Sequence, residues 1–99
     1  MRITKQQITI LKESVKTVVG GYANIWLFGS KVDDNARGGD IDILVSLDSA
    51  VDKPASIIAK IGAKIMMKMG DQKIDVLLEA PNLDKLPIHI KAHENGMLL

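Results

Sequence analysis

Three aspartates in the sequence combine residue type and spacing in a way that suits phosphate chemistry. Asp40 and Asp42 open the apolar stretch D-I-D-I-L-V-S-L, and Asp75 interrupts a second stretch, K-I-D-V-L-L. Because a strand turns successive side chains to opposite faces, Asp40 and Asp42 share one face while the residue between them lies on the other. Neighbouring carboxylates repel each other, so such a pair needs a bound cation or a raised pKa in one member. The pattern therefore predicts a site for a hard divalent cation and for phosphate.

A glycine-serine pair precedes these acids. Gly29 and Ser30 end the apolar stretch N-I-W-L-F-G-S, and nine residues separate Ser30 from Asp40. Glycine lets the backbone approach phosphate oxygens closely, and serine adds a hydroxyl and an N–H group. Lys31 follows directly and is a candidate for a phosphate contact. An ordinary strand-ending turn is the alternative, and the spacing to Asp40 favours the phosphate-binding interpretation.

The order of these motifs resembles the nucleotidyltransferase superfamily typified by DNA polymerase beta and kanamycin nucleotidyltransferase. The shared features are an apolar strand that ends in Gly-Ser, a loop of nine residues, Asp-Ile-Asp-Ile and a later Ile-Asp-Val. The resemblance covers nearly the whole chain. It is closest to the single-domain members called minimal nucleotidyltransferases.

The resemblance implies a reaction and a set of roles for the acids. A nucleoside monophosphate, AMP in the first instance, would pass from ATP or another NTP to a hydroxyl acceptor, with loss of pyrophosphate. By position, Asp40, Asp42 and Asp75 would be the catalytic residues and the ligands of Mg²⁺, with two ions expected. Asp75 corresponds to the acid that lies beside the acceptor hydroxyl and helps to activate it.

The resemblance also assigns nucleotide binding to Gly29, Ser30 and Lys31, which would hold the triphosphate. Two features of the intervening loop depart from the family pattern. Gly39 stands where a serine usually precedes the first acid, and the segment 33–35 adds negative charge.

A protein partner is part of what the resemblance implies. Many minimal nucleotidyltransferases pair with a small helical HEPN protein and act as its antitoxin, in several cases by nucleotidylating the toxin. We therefore expect an antitoxin of a toxin-antitoxin pair, with an NTP and a HEPN-type protein as partners. Two alternatives stay open: a non-catalytic member that binds a nucleotide or a partner, and a transferase that acts on a small molecule or on RNA.

Composition limits the classes of protein to which the chain can belong. Its 99 residues are enough for one domain, residues 1–99, and its core must be aliphatic because only 3% of residues are aromatic. The net charge of +1 gives no broad attraction for nucleic acid or for an anionic membrane. Cysteine is absent, which excludes disulfides, thiolate zinc sites and cysteine nucleophiles.

Other chemistry-bearing residues receive simpler interpretations. His89 and His93 have a spacing that could ligate zinc, but no third ligand is implied, so we interpret them as surface histidines. Glu79 is expected to be exposed. The first residues lack the apolar region of a signal peptide, and no apolar run approaches the roughly 20 residues of a membrane span. We therefore expect a cytoplasmic protein.

Local signals predict helices and strands in a regular order. Thr4 and Gln7 form a capping-box pattern at the start of the first helix, and Pro87 should kink the last helix or delay its start. The predicted elements are a helix from Thr4 to Gly20, strands over 24–28, 40–47 and 73–78, a helix from Pro54 to Gly70, and a last helix within 82–94. The apolar tail 97–99 is expected to fold back onto the core.

The predicted fold is an α/β (α+β) domain. It has a mixed sheet of three or four strands and helices packed mainly on one face, like that of nucleotidyltransferases. The acids are expected on the other face of the sheet.

Overall fold

The computed structural model describes residues 3–21, 23–29, 40–70 and 72–99, which form three helices and four strands. Their order is α1 (Lys5–Val19), β1 (Ala23–Phe28), β2 (Ile41–Leu47), α2 (Pro54–Met69), β3 (Ile74–Glu79), α3 (Pro87–Asn95) and β4 (Met97–Leu98). Among the described residues, no helix combines the length and apolar character needed to cross a bilayer.

The four strands form one mixed sheet in the order β3-β2-β1-β4. β1 runs antiparallel to β2 and to β4, whereas β2 and β3 are parallel. A parallel pair needs a crossover connection, and α2 supplies it between β2 and β3. The predicted α+β fold with a mixed sheet is confirmed.

One face of the sheet forms the hydrophobic core with α1 and α2. Alternate strand residues point into this core, as the period of two requires, and they meet the apolar stripes of the two helices. Its fully or nearly fully buried members are Leu11, Val15, Ile25, Leu27, Ile41, Ile43, Val45, Val51, Ile61, Ile65, Leu78 and Ala80. The even-numbered residues of β2 therefore face the other side of the sheet, and Asp42 is one of them.

The third helix lies against this second face. The rings of His93 on α3 and Trp26 on β1 meet edge to face, with centroids 4.8 Å apart. Ala92 of the same helix is buried. Two helices thus cover the core face, as predicted, while α3 covers part of the face that bears the acids.

Helix ends follow the local sequence signals. The Gln7 backbone N–H donates to the Thr4 hydroxyl at 3.0 Å, and the Thr4 N–H donates to the Gln7 side chain at 2.9 Å, so the predicted capping box is present. Gly20 ends α1 in the left-handed conformation, with φ of +70°. Pro87 is the first residue of α3, so it delays the start of that helix beyond the stretch 82–86.

The apolar tail folds back as the fourth strand. Met97 and Leu98 pair with Leu27 and Trp26, and the Leu99 N–H donates to the Ile25 carbonyl at 2.8 Å. Leu99 also packs against the core. β4 is therefore the edge strand of the sheet, next to β1.

The capping box gives a direct test of the start of α1. Thr4→Ala should lower the free energy of unfolding by about 1 kcal/mol, because the Gln7 N–H loses its acceptor. Chemical denaturation measures the change. Thr9→Ala is a matched control, because the Thr9 hydroxyl donates to the Lys5 carbonyl within the same helix. An equal loss in both variants would contradict a specific contribution from the cap.

Candidate active site

The parallel pairing of β2 and β3 brings two of the three predicted acids together. Its register aligns Asp42 with Asp75, so the two carboxyl groups lie side by side on the same face of the sheet. Their side chains are within hydrogen-bonding reach of each other. Asp42 is half-buried, whereas Asp75 is exposed to solvent.

The same register places Asp40 beside a lysine. The Ile41 N–H donates to the Lys73 carbonyl at 3.0 Å, which fixes the start of β3 against the start of β2. Lys73 Nζ lies 3.5 Å from Asp40 Oδ2. We call the four residues Asp40, Asp42, Lys73 and Asp75 the quartet. It contains two side-by-side pairs, one of like charge and one of opposite charge.

Burial and neighbouring carboxyl groups raise the pKa of Asp42. Its pKa is raised from the ordinary 3.8 to about 6. Burial contributes most, the adjacent Asp75 adds charge repulsion and a hydrogen bond, and Asp40 adds further repulsion. Lys73 acts in the opposite direction. The sequence predicted a raised pKa in one member of the Asp40–Asp42 pair. Asp42 has a raised pKa, but burial and Asp75 contribute more to it than Asp40 does.

Gly29 lies at the end of β1, next to this carboxyl group. Its predecessor Phe28 pairs with Asp42 across the antiparallel strands. The φ angle of Gly29 is +74°, which favours glycine, and a Cβ atom there would overlap Asp42 Oδ2. A side chain at this position would therefore collide with the acid, and glycine makes room for the Asp42 carboxyl group.

The other predicted nucleotide-binding residues, Ser30 and Lys31, lie outside the described residues. Gly39 and the acidic segment 33–35 also lie outside them. The roles assigned to Ser30 and Lys31 stay predictions.

The donor set of the quartet fits a magnesium ion shared with a nucleotide. Mg²⁺ is held by oxygen, commonly by one or two carboxylates together with substrate phosphates. Within the described parts of the chain, no three His, Cys, Asp or Glu side chains are arranged to enclose a metal ion by themselves. Asp40 and Asp42 supply oxygen donors, and phosphate oxygens of a nucleotide would complete the coordination.

Comparison with known protein families agrees with this arrangement. A profile described as the nucleotidyltransferase domain matches residues 5–95. The chain belongs to the nucleotidyltransferase domain family. Members of this family generally use an NTP and a divalent metal ion, and their chemistry is nucleotidyl transfer. A search of curated proteins gave no match.

The nucleotidyltransferase domain carries a second polar cluster on the same face of its sheet. Glu79 Oε1 accepts a hydrogen bond from Ser46 Oγ and lies 2.8 Å from His93 Nε2, while Lys85 Nζ lies 3.6 Å from Glu79 Oε2. Burial raises the pKa of Glu79, but hydrogen bonds from His93 and Ser46 outweigh it, and the pKa lies below the ordinary value. The cluster ties α3 to β3.

Two expectations from the sequence, for Glu79 and for His89, are wrong. Glu79 is not exposed, since only 16% of its side-chain surface is accessible. His89 is buried, and its Nδ1 accepts a hydrogen bond from the Leu86 N–H at the start of α3. Strand alternation already places Ser46 and Glu79 on the face of Asp42, but their contact with His93 depends on the tertiary position of α3.

Asp42 should make the metal-free protein less stable as the pH rises. Its pKa of about 6 lies above the ordinary value, so the unfolded chain loses the proton first, and folding stability falls between roughly pH 4 and pH 6. Asp42→Asn should therefore raise the free energy of unfolding by about 1 kcal/mol near pH 8, after allowance for solvent screening, and change it little near pH 4.

Denaturation at the two pH values, in the presence of a chelator, measures this difference. Asp84→Asn is the matched control, because Asp84 is an exposed acid before α3. A stabilisation by Asp42→Asn that is the same at both pH values would contradict the electrostatic explanation.

Gly29 can be tested against a second glycine of similar backbone conformation. Gly29→Ala and Gly20→Ala should each lower the free energy of unfolding by about 1 kcal/mol. Both φ angles are near +70°, and alanine is strained in this left-handed conformation. A Cβ at Gly20 meets no atom within 4 Å, whereas one at Gly29 overlaps the Asp42 carboxyl. Gly29→Ala should therefore be the less stable variant, and only this variant should move the carboxyl carbon resonance of Asp42. Equal losses with an unmoved resonance would show that Gly29 is not needed for the position of Asp42.

Proposed function

We propose that this protein is an Mg²⁺-dependent nucleotidyltransferase that transfers a nucleoside monophosphate, AMP in the first instance, from an NTP to a hydroxyl group of a protein partner. The observation that carries the proposal is the pairing of Asp42 with Asp75 on adjacent parallel strands, next to Gly29. Oxygen donors at this spacing suit a divalent cation and the phosphates of a nucleotide.

The residues would divide the work as follows. Asp40 and Asp42 would hold the divalent cation, which supplies neutralisation of phosphate charge when bound. Asp75, the more exposed carboxylate, would take the proton of the acceptor hydroxyl. The acceptor oxygen would then form a bond to the α-phosphorus, the bond from that phosphorus to the bridging oxygen would break, and pyrophosphate would leave. Gly29 would let the phosphates approach Asp42, and Ser30 and Lys31 would bind these phosphates.

We further propose that the acceptor is a small helical HEPN-type protein and that this chain is its antitoxin. The structure supports a protein partner by one feature. Large apolar side chains on α3, on the residue before it and on β4 are between 43% and 54% exposed: Leu86, Ile88, Ile90, Met97 and Leu98. All five fall within the segment 86–98, and a segment this rich in exposed apolar side chains is a candidate for a protein contact.

The test is a transfer assay with ATP labelled at two positions. The purified protein is mixed with Mg²⁺ and with a candidate HEPN-type helical protein. Label from the α-phosphate should reach the partner, and label from the γ-phosphate should not, which distinguishes nucleotidyl transfer from phosphoryl transfer. Asp75→Asn should lower the rate roughly 100- to 10,000-fold, as expected for loss of a general base.

Asp84→Asn again serves as the control, since it makes the same chemical change at an exposed position outside the quartet. If α-label never moves with any NTP, the catalytic proposal is wrong. If the partner binds but Asp42→Asn protects cells as well as the unchanged protein does, partner binding without catalysis is the better description.

A further inference from the structure

Lys73 is held next to the acids by the backbone as well as by its charge. Its carbonyl accepts the Ile41 N–H at 3.0 Å, so its main chain is fixed beside the start of β2. Its ammonium group lies 3.5 Å from Asp40 Oδ2. The lysine therefore occupies, beside Asp40, the place that Asp75 occupies beside Asp42.

The charges of the quartet show what this lysine does to the site. With all three acids ionised, three negative charges and one positive charge leave a net charge of −2, equal in size to the charge of one divalent cation. The influence of the lysine extends to Asp42, because its charge lowers the pKa of that carboxyl group. A neutral side chain here would change the net charge of these four residues from −2 to −3.

The ion pair between Lys73 and Asp40 is easily opened. The Lys73 side chain is 72% exposed, and that of Asp40 is 37% exposed. Exposed pairs of this kind contribute little net free energy, so the ammonium group can leave the carboxylate at low cost. A cation that needs Asp40 would only have to displace a weakly held partner.

We propose that Lys73 is a positioning residue that acts as the built-in counter-cation of the site. It pairs with Asp40 before a divalent cation binds and competes with that cation for the carboxylate. The inference rests on the proposed function, because it takes Asp40 and Asp42 as metal ligands. It adds that the metal affinity of the free protein is set partly by this lysine, whose ammonium group is released toward nucleotide phosphates when both ligands arrive.

The test is a titration of nucleotide-free protein with Mg²⁺. Calorimetry measures the binding, and the amide resonances of Asp40 and Asp42 show where it occurs. Lys73→Met should lower the dissociation constant roughly three- to tenfold, the effect of removing one unit charge a few ångströms from the cation in a partly solvated site. High salt should reduce this difference, because ions screen the lysine charge. Lys73→Arg should behave like the unchanged protein.

Lys68→Met is the matched control. Lys68 is also an exposed lysine paired with a carboxylate, Glu13 at 3.7 Å, but it lies on α2 away from the quartet. Its substitution should leave the Mg²⁺ dissociation constant unchanged. An unchanged or weaker affinity in Lys73→Met would overturn the proposal.

Asp42→Asn in the same titration separates this inference from the proposed function. Loss of Mg²⁺ binding in Asp42→Asn, without tightening in Lys73→Met, would overturn the inference alone. If Asp42→Asn bound Mg²⁺ as well as the unchanged protein does, the metal-binding role of the acids, and the inference with it, would be wrong.

Discussion

The parallel pairing of β2 with β3 is the constraint on which the candidate site depends. It holds Asp42 against Asp75, although two carboxylates at this distance repel each other. The pairing of the two strands is stabilised on their other face, where Ile41 and Ile43 are fully buried against the helices. A slip of one residue would turn these isoleucines to solvent and the acids into the core. Burial of apolar surface therefore fixes the positions of charges that would otherwise move apart.

Two polar clusters lie on one face of these strands, and they differ because their partners differ. Asp42 is partly buried beside other acids, and burial first, then Asp75 and Asp40, raise its pKa to about 6. Glu79, at the far end of β3, receives hydrogen bonds from Ser46 and His93, and its pKa falls. The second cluster stabilises a negative charge and anchors α3, whereas the first holds a carboxyl group whose ionisation is unfavourable. That contrast is typical of a structural cluster beside a functional one.

Membership of the nucleotidyltransferase domain family offers a reason for the unfavourable charge at Asp42. Members of this family generally use an NTP and a divalent metal ion, and carboxylates held in place for such ligands cost folding stability. Gly29 shows the same compromise, since its left-handed backbone and its missing side chain make room for the Asp42 carboxyl group. Lys73 reduces the charge repulsion on Asp40 without closing the site.

The sequence by itself determined the elements and the face on which each acid lies. Thr4, Gly20, Pro54 and Pro87 mark helix boundaries through local backbone chemistry, and strand alternation places Asp40 and Asp42 together. Only the tertiary structure decided that Asp75 lies beside Asp42, that Lys73 lies beside Asp40 and that Glu79 meets His93. It also decided that the tail becomes a fourth strand. The reason is physical: capping and alternation act over a few residues, whereas strand register and helix docking are set by burial of apolar surface between segments distant in sequence.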